Sequence, residues 1–386
     1  MMNICTMNKI ASCGTGRLDP ARFTVTEELT GAAGVLVRSA SLHDTTLPAS
    51  LYAIARAGAG VNNIPVDACS ERGIVVFNTP GANANAVKEL VLAGLLLSSR
   101  RVVEGIEWAK SLQNETGVAK LVEKGKGQFA GPEIKGKKLG VIGLGAIGVL
   151  VANAALALGM TVLGYDPYLS VRAAWNLSPA VYHVTDVEDI YATCDYITVH
   201  VPLNDETRGM LNADAFAAMK DGVRILNFAR DALVDTEAVR AALGSGKVSA
   251  YVVDFPTEEI LSIPGVIAIP HLGASTPESE DNCAVMAADE LSDYLVNGNI
   301  THSVNYPDVS APRITSSRVC VLHRNIPNML SALSSRIAAE GINIEAMVNK
   351  SRGAYAYTLI DVAACPSEET VRALAEERGV IRVRVL

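Results

Sequence analysis

No two of the seven cysteines (Cys5, Cys13, Cys69, Cys194, Cys283, Cys320, Cys365) stand as C-x-x-C, and no regular spacing links them. A zinc-binding framework and a disulfide scaffold are both excluded on that pattern, so the thiols are expected to be reduced and mostly buried. The chain also lacks an uncharged apolar run of membrane-spanning length. Its first residues, MMNICTMNKIASC, contain no continuous apolar segment of signal-peptide size, and the expected location is the cytoplasm. A surplus of positive charge is missing as well. With 33 basic and 41 acidic residues the formal net charge is −8, which opposes broad nucleic-acid binding and leaves room only for local basic patches.

What is present is an ordinary globular composition, 49% hydrophobic and 19% charged over 386 residues, enough for two or three domains. From residue 31 onward, short β-branched runs (GVLVRSA, GIVVFNTP, GVIGLG, MTVLGYD, YITVHVP, VRILNFA, VIAIPH) alternate with Ala/Leu-rich segments of helical period. That alternation predicts an α/β fold with parallel sheets covered by helices. The segment from Asn85 to Val103 is apolar on nearly every side and reads as one buried helix. A polar, lysine-bearing stretch after it is expected to hold a domain crossing. A second boundary near Gly298 is marked by NGNITHSVNYPDVSAPRITSS. Beyond it the pattern is strand, helix, strand, strand, helix, strand, a ferredoxin-like β-α-β-β-α-β module over residues 316–386.

GLGAIG fits G-x-G-x-x-G through Gly143, Gly145 and Gly148, with a strand before it and a helix after it, the context a dinucleotide fingerprint needs. Gly143 permits the tight turn, Gly145 lets a pyrophosphate approach the backbone, and Gly148 lets the helix pack against the strand. The next strand, MTVLGYD, ends about twenty residues on at Asp166, placed to accept a ribose 2′-hydroxyl and to repel a 2′-phosphate. NAD is therefore expected rather than NADP.

Three charged residues stand at ends of apolar strands in the second half: Arg230 in NFARDALVD, Glu258 in DFPTEE and His271 in AIPHLGAST. Ligands of open α/β sheets bind beyond the carboxyl ends of the strands. Oxidation of a 2-hydroxy acid uses these three side-chain types. A histidine takes the hydroxyl proton as hydride leaves, a carboxylate orients the histidine, and an arginine binds the substrate carboxylate.

RAGAGVNNIP, NTPGANANAVKEL, LGVIGLGAIG, HVPLNDETRGML, NFARDALVD, PHLGAST and LHRNIPNML together resemble the D-isomer-specific 2-hydroxyacid dehydrogenases, over nearly the whole chain. The resemblance implies two Rossmann-like, doubly wound domains, a substrate domain from residues 1–100 and 283–312 and an NAD domain from 101–282, followed by an ACT regulatory module. It implies that Arg230, Glu258 and His271 are catalytic. It adds Ala146, Ile147, His200, Val201, Pro202, Thr207, Asn227, Ala229 and Asp254 to the cofactor site. For the substrate it implies a carboxylate on the amides of Ala57, Gly58, Ala59 and Gly60, a small-residue anion nest. A phosphate would lie on Arg56, with Arg38 in the same wall and Lys126, helped by Lys124, reaching in from a neighbouring subunit.

The activity so implied is NAD-dependent oxidation of 3-phosphoglycerate to 3-phosphohydroxypyruvate, the opening of phosphorylated serine synthesis. The chain would act as a homodimer or homotetramer, with L-serine as an effector on His323, Asn325 and Asn343. Another D-2-hydroxyacid dehydrogenase, of the hydroxypyruvate or glyoxylate type, and a non-catalytic NAD-sensing regulator remain open alternatives. Two departures from the family pattern stand out: VVDFPTEE brings Asp254 one residue nearer Glu258, and Asn328 replaces a glycine after proline.

Overall fold

The computed structural model describes residues 1–386 and divides into two compact units, one of residues 1–82 with 280–386 and one of residues 83–279. In the first unit a five-stranded parallel sheet holds β1 (Met2–Met7), β2 (Phe23–Thr26), β3 (Gly34–Val37), β4 (Ala53–Arg56) and β5 (Val75–Phe77), in the order β2-β1-β3-β4-β5. β3 and β5 are buried along their whole length, which is why they read as continuous apolar runs rather than alternating ones. β1 pairs with both β2 and β3 and lies inside the sheet, although NICTM carried no strand signal.

The second unit contains seven parallel strands: β6 (Lys138–Ile142), β7 (Thr161–Tyr165), β8 (Tyr182–His183), β9 (Tyr196–Val199), β10 (Val223–Asn227), β11 (Val248–Val253) and β12 (Val266–Ala268). Their order, β12-β11-β10-β9-β6-β7-β8, reverses direction between β6 and β9. That reversal is the crevice where doubly wound sheets bind ligands. Polar residues start the covering helices: Asp186, Asn212, Asp235 and Thr257 each accept a backbone N–H of the first turn, as N-cap residues do.

The expected helix from Asn85 to Val103 is two helices, Ala84–Ser99 and Val102–Ser111. Arg100 between them is extended, at φ −131° and ψ 135°. The hydroxyls of Ser98 and Ser99 both bond back to the Leu95 carbonyl, at 2.9 and 2.8 Å, competing for acceptors in the last turn. The first helix belongs to the second unit, where Gly94 lies against Phe228. The boundary of the first unit thus falls one helix before residue 100.

The C-terminal segment forms a four-stranded antiparallel sheet from β13 (Ser317–Arg324), β14 (Ile344–Arg352), β15 (Tyr355–Val362) and β16 (Val380–Val385), ordered β14-β15-β13-β16 with two helices between strands. It belongs to the first compact unit. One sheet face makes its own core with the helices, through Val319, Val321, Leu333 and Ile360. The other face, Cys320, Leu322, Tyr357 and Leu359, shares a core with Ile4, Phe77 and Tyr294. Asn328 adopts φ +66°, so the position that departs from glycine does need the left-handed region, which asparagine tolerates. No helix in the chain is long and apolar enough to cross a membrane.

Arg318 fastens the module. Fully buried, it pairs with Asp361 at 2.6 and 2.9 Å and donates to the carbonyls of Asn297, Ala311 and Pro312. Asp361→Ala leaves that guanidinium without its counter-charge, and we expect a loss of about 3–5 kcal/mol in urea unfolding of the first unit. A loss below about 1 kcal/mol, the range of an exposed pair, would mean that the carbonyls alone satisfy Arg318.

Candidate functional site

The glycine loop sits at the sheet reversal of the second unit. Gly143 has φ +93°, and a Cβ there would come within 2.8 Å of the His200 backbone. At Gly148 a Cβ would meet the Gly143 carbonyl oxygen at 1.9 Å, whereas at Gly145 nothing lies within 4 Å. One glycine makes the turn, one lets the helix Ala146–Ala157 close onto it, and one is open toward an incoming group. The residues fit a dinucleotide pyrophosphate at the N-terminus of that 12-residue helix.

Asp166, after β7, accepts the N–H of Leu144 and that of Tyr168, both at 2.8 Å. Its carboxylate is thereby fixed beside the glycine turn with acceptor capacity left over for a ribose hydroxyl. A cleft of about 930 Å³ opens there, lined by Gly143, Gly145, Asp166, His200, Pro202 and Thr207 among others. Burial pushes His200 down to about 4, so the ring is neutral. Its Nε2 bonds to the Thr198 hydroxyl at 3.0 Å and its Nδ1 is buried without a partner. Thr207 donates its hydroxyl to the Pro202 carbonyl at 2.6 Å, fixing the loop after β9.

Beyond β10 the buried Asn227 shapes the arginine turn. Its amide donates to the Arg230 carbonyl at 2.7 Å and its carbonyl accepts the Ala229 N–H at 3.2 Å. Arg230 itself is exposed and donates to the Ala229 carbonyl. His271, after β12, is exposed, and its ring lies on Phe255 with centroids 4.7 Å apart. Glu258 starts the short helix Glu258–Leu261 and lines a cleft of about 600 Å³ with Asp231, Tyr251 and Phe255. No hydrogen bond joins Glu258 to His271; Phe255 borders both.

Asp254 follows directly on β11. It is 1% exposed and its Oδ1 has no partner. Burial raises its pKa, while His271 and Arg230 act in the opposite direction. An orphaned, buried acceptor of this kind suits an amide donor such as that of a nicotinamide. Sequence reasoning assigned the orienting role to Glu258 alone. The shortened VVDFPTEE run was the available sign that Asp254 needed separate weighing.

In the first unit the loop after β4 leaves two of its backbone N–H groups free. The Ala57 N–H goes to Val37 and that of Gly58 to Arg56, each at 2.8 Å. The N–H groups of Ala59 and Gly60 have no intramolecular acceptor. A Cβ on Gly58 would meet the Arg56 guanidinium at 2.0 Å, so glycine here makes room for the arginine. Arg56 donates to the Arg38 carbonyl at 3.1 Å, and Arg38 pairs with Glu280 at 2.5 Å. Burial lowers the Arg56 pKa, with Arg38 adding to the effect. Lys126 belongs to the other unit, on an exposed turn, ion-paired with Glu123 at 2.5 Å; Lys124 is exposed nearby in sequence.

The three candidate effector residues differ in exposure. His323 is 2% exposed, with Nε2 on Thr358 and Nδ1 on the Arg324 carbonyl, each at 2.8 Å. Asn325 and Asn343 are at the surface, bonded to the Gly353 carbonyl and to Glu345.

Residues 92–273 match the family profile described as D-isomer specific 2-hydroxyacid dehydrogenase, NAD binding domain. The chain is 33% identical over 340 residues to D-3-phosphoglycerate dehydrogenase of Escherichia coli K12, covering 85% of this chain and 79% of that one. It is 36% identical over 270 residues to the enzyme of the same name from Methanocaldococcus jannaschii, 68% of this chain and 49% of that one. Among solved structures it is similar to the NAD+-bound 3-phosphoglycerate dehydrogenase of Entamoeba histolytica, with a TM-score of 0.61 and 26% identity, covering 79% of this chain and 98% of that one.

Asp166→Ser removes the fixed acceptor. We expect NADH affinity to fall about tenfold, roughly 1.4 kcal/mol, and the gap to NADPH to narrow, both read by fluorescence titration. Unchanged NADH affinity would show that Asp166 serves the loop backbone alone.

Proposed function

The chain belongs to the D-isomer-specific 2-hydroxyacid dehydrogenase family, and from that premise we propose that it oxidises 3-phospho-D-glycerate to 3-phosphohydroxypyruvate with NAD as hydride acceptor. The observation that carries this choice of substrate lies in the first unit. The unpaired amides of Ala59 and Gly60 follow Gly58, against which the Arg56 guanidinium lies; Arg56 in turn donates to the backbone carbonyl of Arg38, whose own guanidinium pairs with Glu280. A substrate with two anionic ends, carboxylate and phosphate, uses both features; an unphosphorylated acid uses one. The names of the E. coli and M. jannaschii relatives support the same reading.

In this mechanism Arg230 holds the substrate carboxylate, and the free amides of Ala59 and Gly60 are read as an anion-binding nest. His271 removes the C2 hydroxyl proton, and loss of that proton with the C2 hydride leaves the carbonyl of the product. NAD, when bound, supplies the acceptor for the hydride. Asp254 stabilises positive charge on His271 and offers its free oxygen to the cofactor's amide. Glu258 is assigned to orienting His271, and the Phe255 ring packs against the imidazole.

Self-association as a homodimer or homotetramer is part of this reading. It is supported by the exposed apolar side chains Leu96, Val102, Ile106 and Val118 on neighbouring segments of the second unit. The C-terminal module is read as an ACT module. A serine-binding role for it has support from the exposed Asn325 and Asn343, and none from the internally bonded His323.

Purified protein should oxidise NADH when supplied with 3-phosphohydroxypyruvate. His271→Ala should lower kcat by about 10²–10⁴-fold, the range for a lost acid–base group, with NADH binding intact. Asp254→Asn and Glu258→Gln, measured side by side across pH, separate the two carboxylates. A wild-type pH profile in Glu258→Gln would transfer the orienting role to Asp254.

A further inference from the structure

Among the buried titratable groups that the mechanism does not use, Glu290 is the one whose contacts lead to the anion loop. It lies on the helix Pro277–Asn297 with its side chain 6% exposed. Its Oε1 is 2.6 Å from His302 Nδ1, and its Oε2 has no partner. Burial, reinforced by Asp308 and Asp289, pushes the carboxyl up to about 9. Carboxyl and imidazole share one hydrogen across this contact. The neighbouring charges are engaged elsewhere: Asp289 with Arg17 at 2.8 Å, Asp308 with the Ser303 N–H at 3.2 Å, and Arg352 with the Ser303 carbonyl at 2.5 Å.

His302 itself is unusual, with φ +58°, a conformation that residues with a Cβ seldom adopt. From this turn the chain runs as a strap along the edge of the first sheet. The His302 carbonyl accepts the Asn78 N–H at 3.3 Å, and the Val304 N–H donates to Val76 at 2.9 Å. Asn305 accepts the Val76 N–H and donates to the Ile74 carbonyl, both at 2.9 Å. The residues that follow β5 then hold the anion loop by its carbonyls: Asn78 Nδ2 donates to Ala59 at 2.6 Å and the Thr79 N–H to Gly58 at 3.1 Å.

We propose that Glu290 is a positioning residue for the anion loop: its bond to His302 holds the left-handed turn that registers the strap on β5, and so fixes Asn78 and Thr79 against Ala59 and Gly58. The proposal rests on the reading that this loop binds the substrate carboxylate. A loop held by its carbonyls presents its N–H groups in one orientation, so loosening the turn weakens binding of substrate and transition state alike. The consequence is a change in KM without a matching change in kcat.

Glu290→Ala should raise the KM for 3-phosphohydroxypyruvate about fivefold or more while kcat stays within about twofold. Glu290→Gln keeps a donor for Nδ1 and should stay within about twofold of wild type in both. Adding His302→Gly to Glu290→Ala should bring KM back toward wild type, because glycine adopts φ +58° without the strain of a Cβ; urea unfolding of both variants separates this from recovery of global stability, which the proposal does not require. Amide hydrogen exchange of Asn78 and Thr79, whose N–H groups donate to the His302 and Gly58 carbonyls, reads the same effect without turnover, faster in Glu290→Ala and restored in the double variant. If Glu290→Ala does not fold, His302→Gly alone takes its place, with a KM and exchange near wild type expected and a clear rise in either overturning the proposal. Unchanged KM and exchange in Glu290→Ala would also overturn it. Faster exchange rescued by the glycine, in a protein that reduces no 2-oxo acid, would uphold the positioning role and refute the proposed reaction.

Discussion

The helix Ala146–Ala157 begins so close to the end of β6 that a single added carbon at Gly148 would fall 1.9 Å from the Gly143 carbonyl. That approach is the constraint on which the second unit depends. It aims the free N–H groups of the helix start at one point in the cleft. It also places Leu144 where its N–H can reach Asp166. The loop after β9 closes the same point from the other side of the sheet reversal, with Gly143 against the His200 backbone. Phosphate seat and ribose acceptor are thus products of one packing contact, and the cofactor choice follows from the charge on Asp166.

The first unit also ends a parallel strand in a loop of small residues. Two backbone amides are left without acceptors, and the Arg56 guanidinium lies against the glycine before them. Here the loop is stabilised from outside the local turn. Asn78 and Thr79 grip its carbonyls, and the C-terminal module grips the strands that carry it. Arg382 donates to the Ala49 and Leu51 carbonyls and lies over Tyr52, the residue before β4. Arg324 and Tyr355 both bond to Glu71, in the helix before β5. With Arg318 and Arg384 buried at the same junction, the module is built into the unit rather than appended to it.

Much of this was legible in the sequence because it rests on local chemistry. The glycine spacing, the acid after the second strand, the N-cap residues and the β-α-β-β-α-β connectivity all depend on residues close together in the chain. What escaped the reading depends on packing between distant segments. β1 is a central strand through its pairing with β2 and β3, which NICTM alone does not signal. The break at Arg100 arises from serine hydroxyls bonding back onto the helix, in a run whose hydrophobicity suggested continuity. Glu258 was chosen as the partner of His271 on charge type; no hydrogen bond joins the two side chains, and the burial of the neighbouring Asp254 with an unpartnered Oδ1 carried no sequence signal. His323 was read as a ligand contact, yet burial and two internal hydrogen bonds occupy its ring. Glu290 and His302 showed no motif at all, since their meaning lies in a backbone angle and a missing partner.

The account depends most on the claim that Arg56 and Arg38, beside the Ala59 and Gly60 amides, form a site for a doubly anionic substrate. Calorimetric titration of the NADH-loaded protein with 3-phosphoglycerate and, separately, with D-glycerate tests it directly. The account predicts at least about tenfold tighter binding of the phosphorylated acid, a difference of about 1.4 kcal/mol, which Arg56→Ala removes. Equal affinity for the two acids would contradict it and make the arginines structural supports of a site for unphosphorylated 2-hydroxy acids.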